Sequence, residues 1–194
     1  PMLTDDFGRE KLSAFTMQHF WQCLGNGRTL VRGAGGATLT EPVSGVLWGG
    51  NLAMLTHLIG TPYLPKIVGG ILFLEDINEH PFRIERMLLQ LLYAGVLAQQ
   101  SAIVLGDFSG GRLVDFDNGY SMDSVVTLLR SRLEVPIVTG LQFGHIADKV
   151  TLPVGANASL RSSDGGWELE ISGYPVLNRP LPPGQAKGAD TGVV

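Results

Sequence analysis

The sequence predicts an α/β fold with a mixed, partly parallel sheet, flanking helices and a C-terminal β-hairpin. Short apolar runs, which are typical of strands buried on both faces, alternate with segments whose apolar residues recur at helical spacing. Such alternation favours parallel strands joined by helices. From Thr151 onward the pattern changes to residues that alternate in polarity around a glycine-containing turn, which favours an antiparallel hairpin.

Composition narrows the functional classes. The chain has 194 residues and a net charge of −4, from 14 Lys and Arg against 18 Asp and Glu. It therefore lacks the basic surplus that neutralises phosphates, and we expect no nucleic-acid partner. No apolar run approaches the roughly 20 residues that span a bilayer, and no signal-peptide pattern is visible, so we expect no membrane partner and a cytoplasmic location. One cysteine, Cys23, suits a reducing compartment.

The first third of the chain predicts one helix, two strands and a second helix. Apolar residues at helical spacing predict a helix over 9–24, which Gly25-Asn26-Gly27 ends. Strands are predicted over 28–32 and 46–48, with a bend at Gly33, Gly35 and Gly36 between them. Asn51 precedes the next apolar segment, so we expect it to cap a helix that Gly60 closes.

The middle of the chain predicts three buried strands that alternate with two helices. The strands are expected over 71–74, 102–105 and 136–138, and the helices from Pro81 to Gly95 and over 122–133, with Val125, Val126, Leu128 and Leu129 inward. Further on, 158–160 and 167–171 predict the hairpin around Asp164-Gly165-Gly166. Prolines after Tyr174 indicate a loose tail.

Acidic residues follow two of the buried strands. Glu75, Asp76 and Asp107 qualify as site residues, because a charge there must be paired or directed into a cleft. Helix capping, loop solvation or an ion pair with Arg83 or Arg86 would explain them equally well.

Among the four histidines, His145 follows a predicted strand and a glycine, so its imidazole could face the same cleft, although a loop histidine without a catalytic role is the alternative. His19, His57 and His80 are interpreted as packing or surface residues. No two histidines have the i, i+4 spacing of a helical metal site, so we expect no metal. The glycines at 33–36 lack a phosphate-loop pattern, and we expect no cofactor.

No residue of the chain has the pattern of a nucleophile. Cys23 lies in an apolar helix, where cysteine behaves as a small hydrophobe. Gly119-Tyr120-Ser121 lacks the preceding strand and the second glycine of a nucleophile elbow, so Ser121 is expected to cap a helix instead.

Three groups of motifs together resemble one known family. They are Gly49-Gly50-Asn51-Leu52 with Gly60-Thr61-Pro62-Tyr63, then Ile71 to Asp76 with Phe82 to Leu88, and finally Gly144-His145 with Asp148-Lys149 and Thr151-Leu152-Pro153. Their order and spacing resemble the C-terminal domain of the LD-carboxypeptidases, a family of muramoyl-tetrapeptide carboxypeptidases that includes microcin C immunity peptidases. The resemblance covers roughly residues 1–160.

This resemblance implies a serine peptidase that removes the terminal D-alanine from murein tetrapeptides in cell-wall recycling, with a muropeptide as substrate. It implies Glu75 and His145 as the catalytic carboxylate and base of a Ser-His-Glu triad. It places Asn51 near the substrate, in competition with its predicted capping role. Such a triad requires the Glu75 carboxyl and the His145 imidazole to meet in one solvent-reached hollow.

The family carries its serine in a separate N-terminal domain, which the resemblance makes a missing partner of this chain. The implied division is a helical linker over 1–27, the C-terminal domain over 28–175 and a tail over 176–194. We therefore expect a fragment that is inactive alone, and the sequence leaves a homodimer open. The alternatives are a non-catalytic muropeptide-binding or interaction module, and a glycosidase using Glu75 with Asp76 or Asp107, which is disfavoured because adjacent strand residues point to opposite faces.

Overall fold

The computed structural model describes residues 3–35 and 39–177, which form one sheet and its flanking helices. The strands are β1 Arg28–Gly33, β2 Val43–Asn51, β3 Ile71–Glu75, β4 Ala102–Leu105, β5 Ile137–Val138, β6 Asn157–Ser163 and β7 Gly166–Ser172. The helices are α1 Ala14–Asn26, α2 Leu52–His57, α3 Pro81–Tyr93 and α4 Met122–Arg132. A π-helical turn precedes α1 at Leu3–Phe7, and 3-10 turns lie at Leu97–Gln99 and Asp115–Asp117.

The sheet is mixed, which confirms the predicted fold class. Its strand order is β1-β7-β6-β2-β3-β4-β5. Strands β2 to β5 are parallel neighbours, whereas β1, β7, β6 and β2 pair antiparallel. Strands β6 and β7 form the predicted hairpin, with Asp164 and Gly165 between them. Strand β2 therefore joins the parallel half of the sheet to the antiparallel half.

The sheet curls until its two edges approach each other. The Thr139 amide, just after β5, donates to the Gly35 carbonyl just after β1 at 3.4 Å, and Trp167 Nε1 donates to the Thr139 carbonyl at 2.8 Å. One face of the sheet thus encloses a core that includes Phe73 and Trp167. The other face, which carries Leu72 and Leu74, packs against helices α2 to α4.

The N-terminal helix differs from its prediction. Helix α1 begins at Ala14 and not near residue 9, because the Ser13 hydroxyl accepts the Thr16 amide at 3.1 Å and caps the helix there. Leu12, included in the predicted apolar face, lies outside α1 and is exposed. The helix ends as expected, with Gly27 in a left-handed conformation (φ +63°).

Other differences are small. Strand β2 begins at Val43 and not at residue 46, because its first residues pair with β6. Leu128 of α4, expected to point inward, is only half-buried, while Val125, Val126 and Leu129 are buried. The ends of the predicted linker and tail (1–2 and 178–194) and Gly36 lie outside the described residues. Among the residues that are described, no helix combines the length and apolar character needed to cross a bilayer.

Candidate active site

The candidate site lies where the parallel strands end. Strand β2 ends at Asn51 and β3 at Glu75, Asp107 follows β4 by two residues, and the loop after β5 carries His145. Because the carboxyl ends of parallel strands share one edge of a sheet, these side chains from distant parts of the sequence lie near one another, as the sequence predicted.

Glu75 and His145 are in direct contact. Nδ1 of His145 lies 3.1 Å from Oε2 of Glu75. The side chain of His145 is 34% exposed, whereas that of Glu75 is only 7% exposed. The expectation that both groups reach a solvent-filled hollow therefore needs correction for Glu75. Its carboxyl is buried because it ends a strand whose five residues are all buried, and the imidazole alone offers an accessible surface.

Gly144 makes this contact possible. Its φ of +137° is a conformation that side-chain-bearing residues rarely adopt. A Cβ at this position would lie 3.0 Å from Cβ of Asp107 and 3.3 Å from Oε2 of Glu75. The residue before His145 thus has to be small, because the backbone passes directly over the carboxylate.

Asn51 caps α2 and also contacts the carboxylates. Its Oδ1 accepts the Met54 amide at 3.1 Å, as the capping prediction required. Its Nδ2 donates to Oε1 of Glu75 at 3.3 Å and to Oδ1 of Asp76 at 3.1 Å. Since an amide nitrogen has two hydrogens, both are engaged. The geometry thus gives Asn51 a role in orienting Glu75, and substrate binding by Asn51 stays a prediction.

The remaining acidic candidates accept hydrogen bonds from backbone amides. Asp76 is buried and accepts the amides of Ala53 and Ile77, each at 2.9 Å. Asp107 accepts the Ser109 amide at 3.1 Å. Arg83, considered as an ion-pair partner for Glu75 or Asp76, instead pairs with Glu79 at 3.6 Å.

Two of the other histidines have local environments that account for them. His80 caps α3, and its Nε2 lies 3.0 Å from Oδ1 of Asp117. The pKa of Asp117 is lowered, first by the Val114 amide and then by His80. Burial lowers the pKa of His19. Within residues 3–35 and 39–177, no three potential ligands cluster closely enough to hold a metal ion.

Cys23 and Ser121, for which the sequence predicted packing and helix capping, lie within α1 and at the start of α4. Cys23 is buried, and burial raises the pKa of its thiol. Ser121 occupies the N-cap position of α4, and its amide donates to the Ser124 hydroxyl at 3.3 Å. In the described part of the chain, no hydrogen bond joins a serine hydroxyl to His145.

Sequence reasoning missed three residues behind the site. Lys149 is buried with Asp6, its Nζ 2.9 Å from Oδ1, and the Thr16 hydroxyl bonds the backbone on either side of Asp148. A lysine that is 4% exposed requires a partner charge. That partner is 143 positions away, and no local pattern connects the two.

A buried carboxylate behind an accessible imidazole, at the strand ends of an α/β sheet, is the arrangement of hydrolases that activate a nucleophile. The family model of the LD-carboxypeptidase C-terminal domain matches residues 44–160, more than half of the chain. The chain therefore belongs to the LD-carboxypeptidase family, as the motifs predicted.

Individual relatives agree with this assignment. The crystal structure of a muramoyltetrapeptide carboxypeptidase from Oxalobacter formigenes superposes on this chain with a TM-score of 0.87 and a sequence identity of 53%. The match covers 91% of this chain and 60% of that one. It is 32% identical to a probable murein peptide carboxypeptidase of Bacillus subtilis over 84% of this chain and 52% of that protein. It is 35% identical to the murein tetrapeptide carboxypeptidase of Pseudomonas aeruginosa over 66% of this chain and 41% of that protein. The chain thus spans 52% of the length of the first of these curated relatives and 41% of the second.

Proposed function

We propose that this chain is the acid–base half of a serine-type LD-carboxypeptidase that removes the terminal D-alanine from murein tetrapeptides in cytoplasmic cell-wall recycling. The observation that carries the proposal is the 3.1 Å contact between His145 Nδ1 and Glu75 Oε2, in which only the imidazole is accessible. The substrate class follows from the relatives, which are described as murein tetrapeptide and muramoyltetrapeptide carboxypeptidases.

The contact supports one direction of proton transfer. An ionised carboxylate can only accept a hydrogen bond, so Nδ1 of His145 carries the proton and Nε2 keeps a free lone pair. Nε2 takes the proton of a serine hydroxyl while the serine oxygen attacks the carbonyl carbon of the scissile bond. Glu75 holds the tautomer and stabilises the imidazolium that forms.

Collapse of the tetrahedral intermediate completes the first half of the reaction. The C–N bond breaks, the imidazolium gives its proton to the departing D-alanine amine, and an acyl-enzyme remains. Water then attacks the ester, with His145 again taking a proton and returning it to the serine. The products are the tripeptide and free D-alanine, and every proton is accounted for.

The proposal assigns the nucleophile to a segment outside this chain. Two serines lie near helix and strand ends: Ser109 donates its hydroxyl to Asp107, and Ser121 occupies the N-cap position of α4. The relatives have the length to supply such a segment, since the chain spans 52% of the Bacillus subtilis protein. The chain by itself is then expected to be inactive, because both the nucleophile and the oxyanion hole contribute orders of magnitude to the rate.

The test compares the chain alone with a chimera in which the remaining part of the Oxalobacter formigenes enzyme precedes it. Mass spectrometry of murein tetrapeptide digests should detect D-alanine release by the chimera only. Glu75→Gln and His145→Ala should each lower kcat by roughly 10³- to 10⁴-fold. His57→Ala, which alters an exposed histidine of α2, is the matched control and should leave the rate unchanged. Release by the chain alone would contradict the proposed origin of the nucleophile.

A second candidate is a non-catalytic muropeptide-binding module. It is favoured by one observation, that no serine in the described residues bonds to His145. Calorimetry with the tetrapeptide separates the two functions, because a module binds it but no chimera cleaves it. A glycosidase has less support, since Glu75 is paired with His145 and Asp76 accepts the backbone amides of Ala53 and Ile77.

A further inference from the structure

The loop that carries His145 is held at its base and on both arms. Residues 142–150, here called the His145 loop, are closed by a hydrogen bond from the Val150 amide to the Gln142 carbonyl at 2.8 Å. On its first arm, the Phe143 carbonyl accepts the Asp107 amide at 2.8 Å. This arm is therefore attached to the strand-end segment after β4.

The second arm is attached to the N-terminal segment through one side chain. The Thr16 hydroxyl donates to the Ala147 carbonyl at 2.9 Å and accepts the Lys149 amide at 3.0 Å. Thr16 has no exposed surface, so water cannot replace either bond. A single hydroxyl thus defines the spacing and direction of the backbone two to four residues after His145.

Two further contacts join the same segments. Nζ of Lys149 lies 2.9 Å and 3.2 Å from the two carboxylate oxygens of Asp6, and both side chains are almost fully buried. The Ser13 hydroxyl donates to Oδ1 of Asp148 at 2.6 Å. All three N-terminal residues precede position 44, where the match to the family model begins. The site is therefore held partly by chain outside that matched domain.

We infer that Thr16 is a positioning residue for His145, acting through the loop backbone, and this inference rests on the proposed function. Without the hydroxyl, a buried carbonyl and a buried amide lose their partners, and the second arm must move to find others. The imidazole reaches Glu75 only while the loop keeps its course over the carboxylate. A displacement of about 1 Å in a supporting element is enough to disable such a pair.

The experiment uses NMR of the whole chain with ¹⁵N-labelled histidine and needs no substrate. In the wild type, the hydrogen bond to Glu75 is expected to protect the Nδ1 proton of His145 and to produce a downfield resonance. Thr16→Val removes the hydroxyl at nearly constant volume and should reduce this signal by roughly tenfold or more. Thr16→Ser restores the hydroxyl and should restore the signal.

Thr29→Val is the matched control. Thr29 is also buried, and its substitution removes a tertiary hydrogen bond with the Tyr174 hydroxyl at 2.7 Å, but Thr29 does not touch the His145 loop. It should lower Tm while leaving the His145 resonance unchanged. If Thr16→Val behaves like Thr29→Val, with a lower Tm and an intact His145 resonance, the positioning role is overturned.

A second variant covers the case in which Thr16→Val does not fold. Thr16→Ala also removes the hydroxyl but places no second methyl group against the polar backbone of the loop, and its His145 resonance should weaken as in Thr16→Val. An unchanged resonance would overturn the inference.

The outcomes also separate the two proposals. A chimera without peptidase activity whose His145 resonance responds to Thr16 contradicts only the proposed function, and an active chimera whose resonance ignores Thr16 contradicts only the inference.

Discussion

Nδ1 of His145 and Oε2 of Glu75 lie 3.1 Å apart although 70 positions of sequence separate the two residues. Glu75 is the last residue of the buried strand β3, and His145 lies in a loop that follows β5, another strand of the same parallel group. The rigid member of the pair is buried and the accessible member is on the loop. This arrangement suits a general base whose imidazole is oriented by a buried carboxylate and is accessible to a nucleophile on its other side.

Replacing Gly144 should separate the pair. Gly144→Ala adds a Cβ within 3.3 Å of Oε2 of Glu75 and forces a left-handed φ on alanine. Gly155→Ala is the control, because Gly155 also has a positive φ (+89°) but open space around it. Both should lose about 1–3 kcal/mol of unfolding free energy in chemical denaturation. Only Gly144→Ala should also lose the His145 Nδ1 resonance, and equal spectra for the two variants would contradict the crowding argument.

Two substitutions at Asn51 separate capping from orientation of Glu75. Asn51→Ala removes the cap of α2 and should cost about 1 kcal/mol of stability. Asn51→Asp keeps a capping oxygen but brings a like charge to Glu75 and Asp76 where Nδ2 now donates. In peptidase assays of the chimera, Asn51→Asp should lower the rate of D-alanine release even though the cap of α2 is kept. Full activity in Asn51→Asp would reduce Asn51 to a helix cap.

In the antiparallel half of the sheet, Glu168 should contribute to the free energy of unfolding in a way that depends on pH. Hydrogen bonds from Arg161, and then from Arg32, lower the pKa of Glu168. A carboxyl whose folded pKa is lowered stabilises the fold above its unfolded pKa of about 4.3 and loses that contribution as pH falls through the folded value. Glu168→Gln should therefore be less stable than the wild type at neutral pH, and the difference should shrink in acid.

Urea denaturation at a series of pH values measures this difference. The difference should be small, because Arg32 and Arg161 are 70% and 57% exposed and solvent screens their ion pairs with Glu168. Glu170→Gln, which breaks the still more exposed pair with Arg28, is the control and should change less. A difference for Glu168→Gln that grows toward low pH would show that the sign is wrong.

The thiol of Cys23 should be inert in the folded chain. Its side chain is buried, and burial raises the pKa, so little thiolate forms at neutral pH and reagents cannot reach it. A disulfide reagent such as DTNB should label the thiol rapidly in guanidinium and slowly in buffer. Rapid labelling of the native chain would mean that α1 opens readily.

The parallel strands were predictable because burial on both faces leaves continuous apolar runs, as in Ile71 to Leu74. The ends of the helices were less predictable. Helix α1 starts where the Ser13 side chain caps it, five residues after the predicted start at residue 9. The curl that joins Trp167 to Thr139 had no local signal, because it depends on how seven strands twist together.

The sequence by itself determined which residue types stand at the strand ends, the family of the chain, and Glu75, His145 and Asn51 as its candidate site. Periodicity and motif spacing carry that information because they are local. Tertiary structure alone decided that Glu75 is buried behind His145 and that Asn51 donates to Oε1 of Glu75. It also decided that Thr16, Asp6 and Lys149 contact one another and the His145 loop. These contacts join positions up to 143 residues apart, and such partners are chosen by the packing of the whole chain.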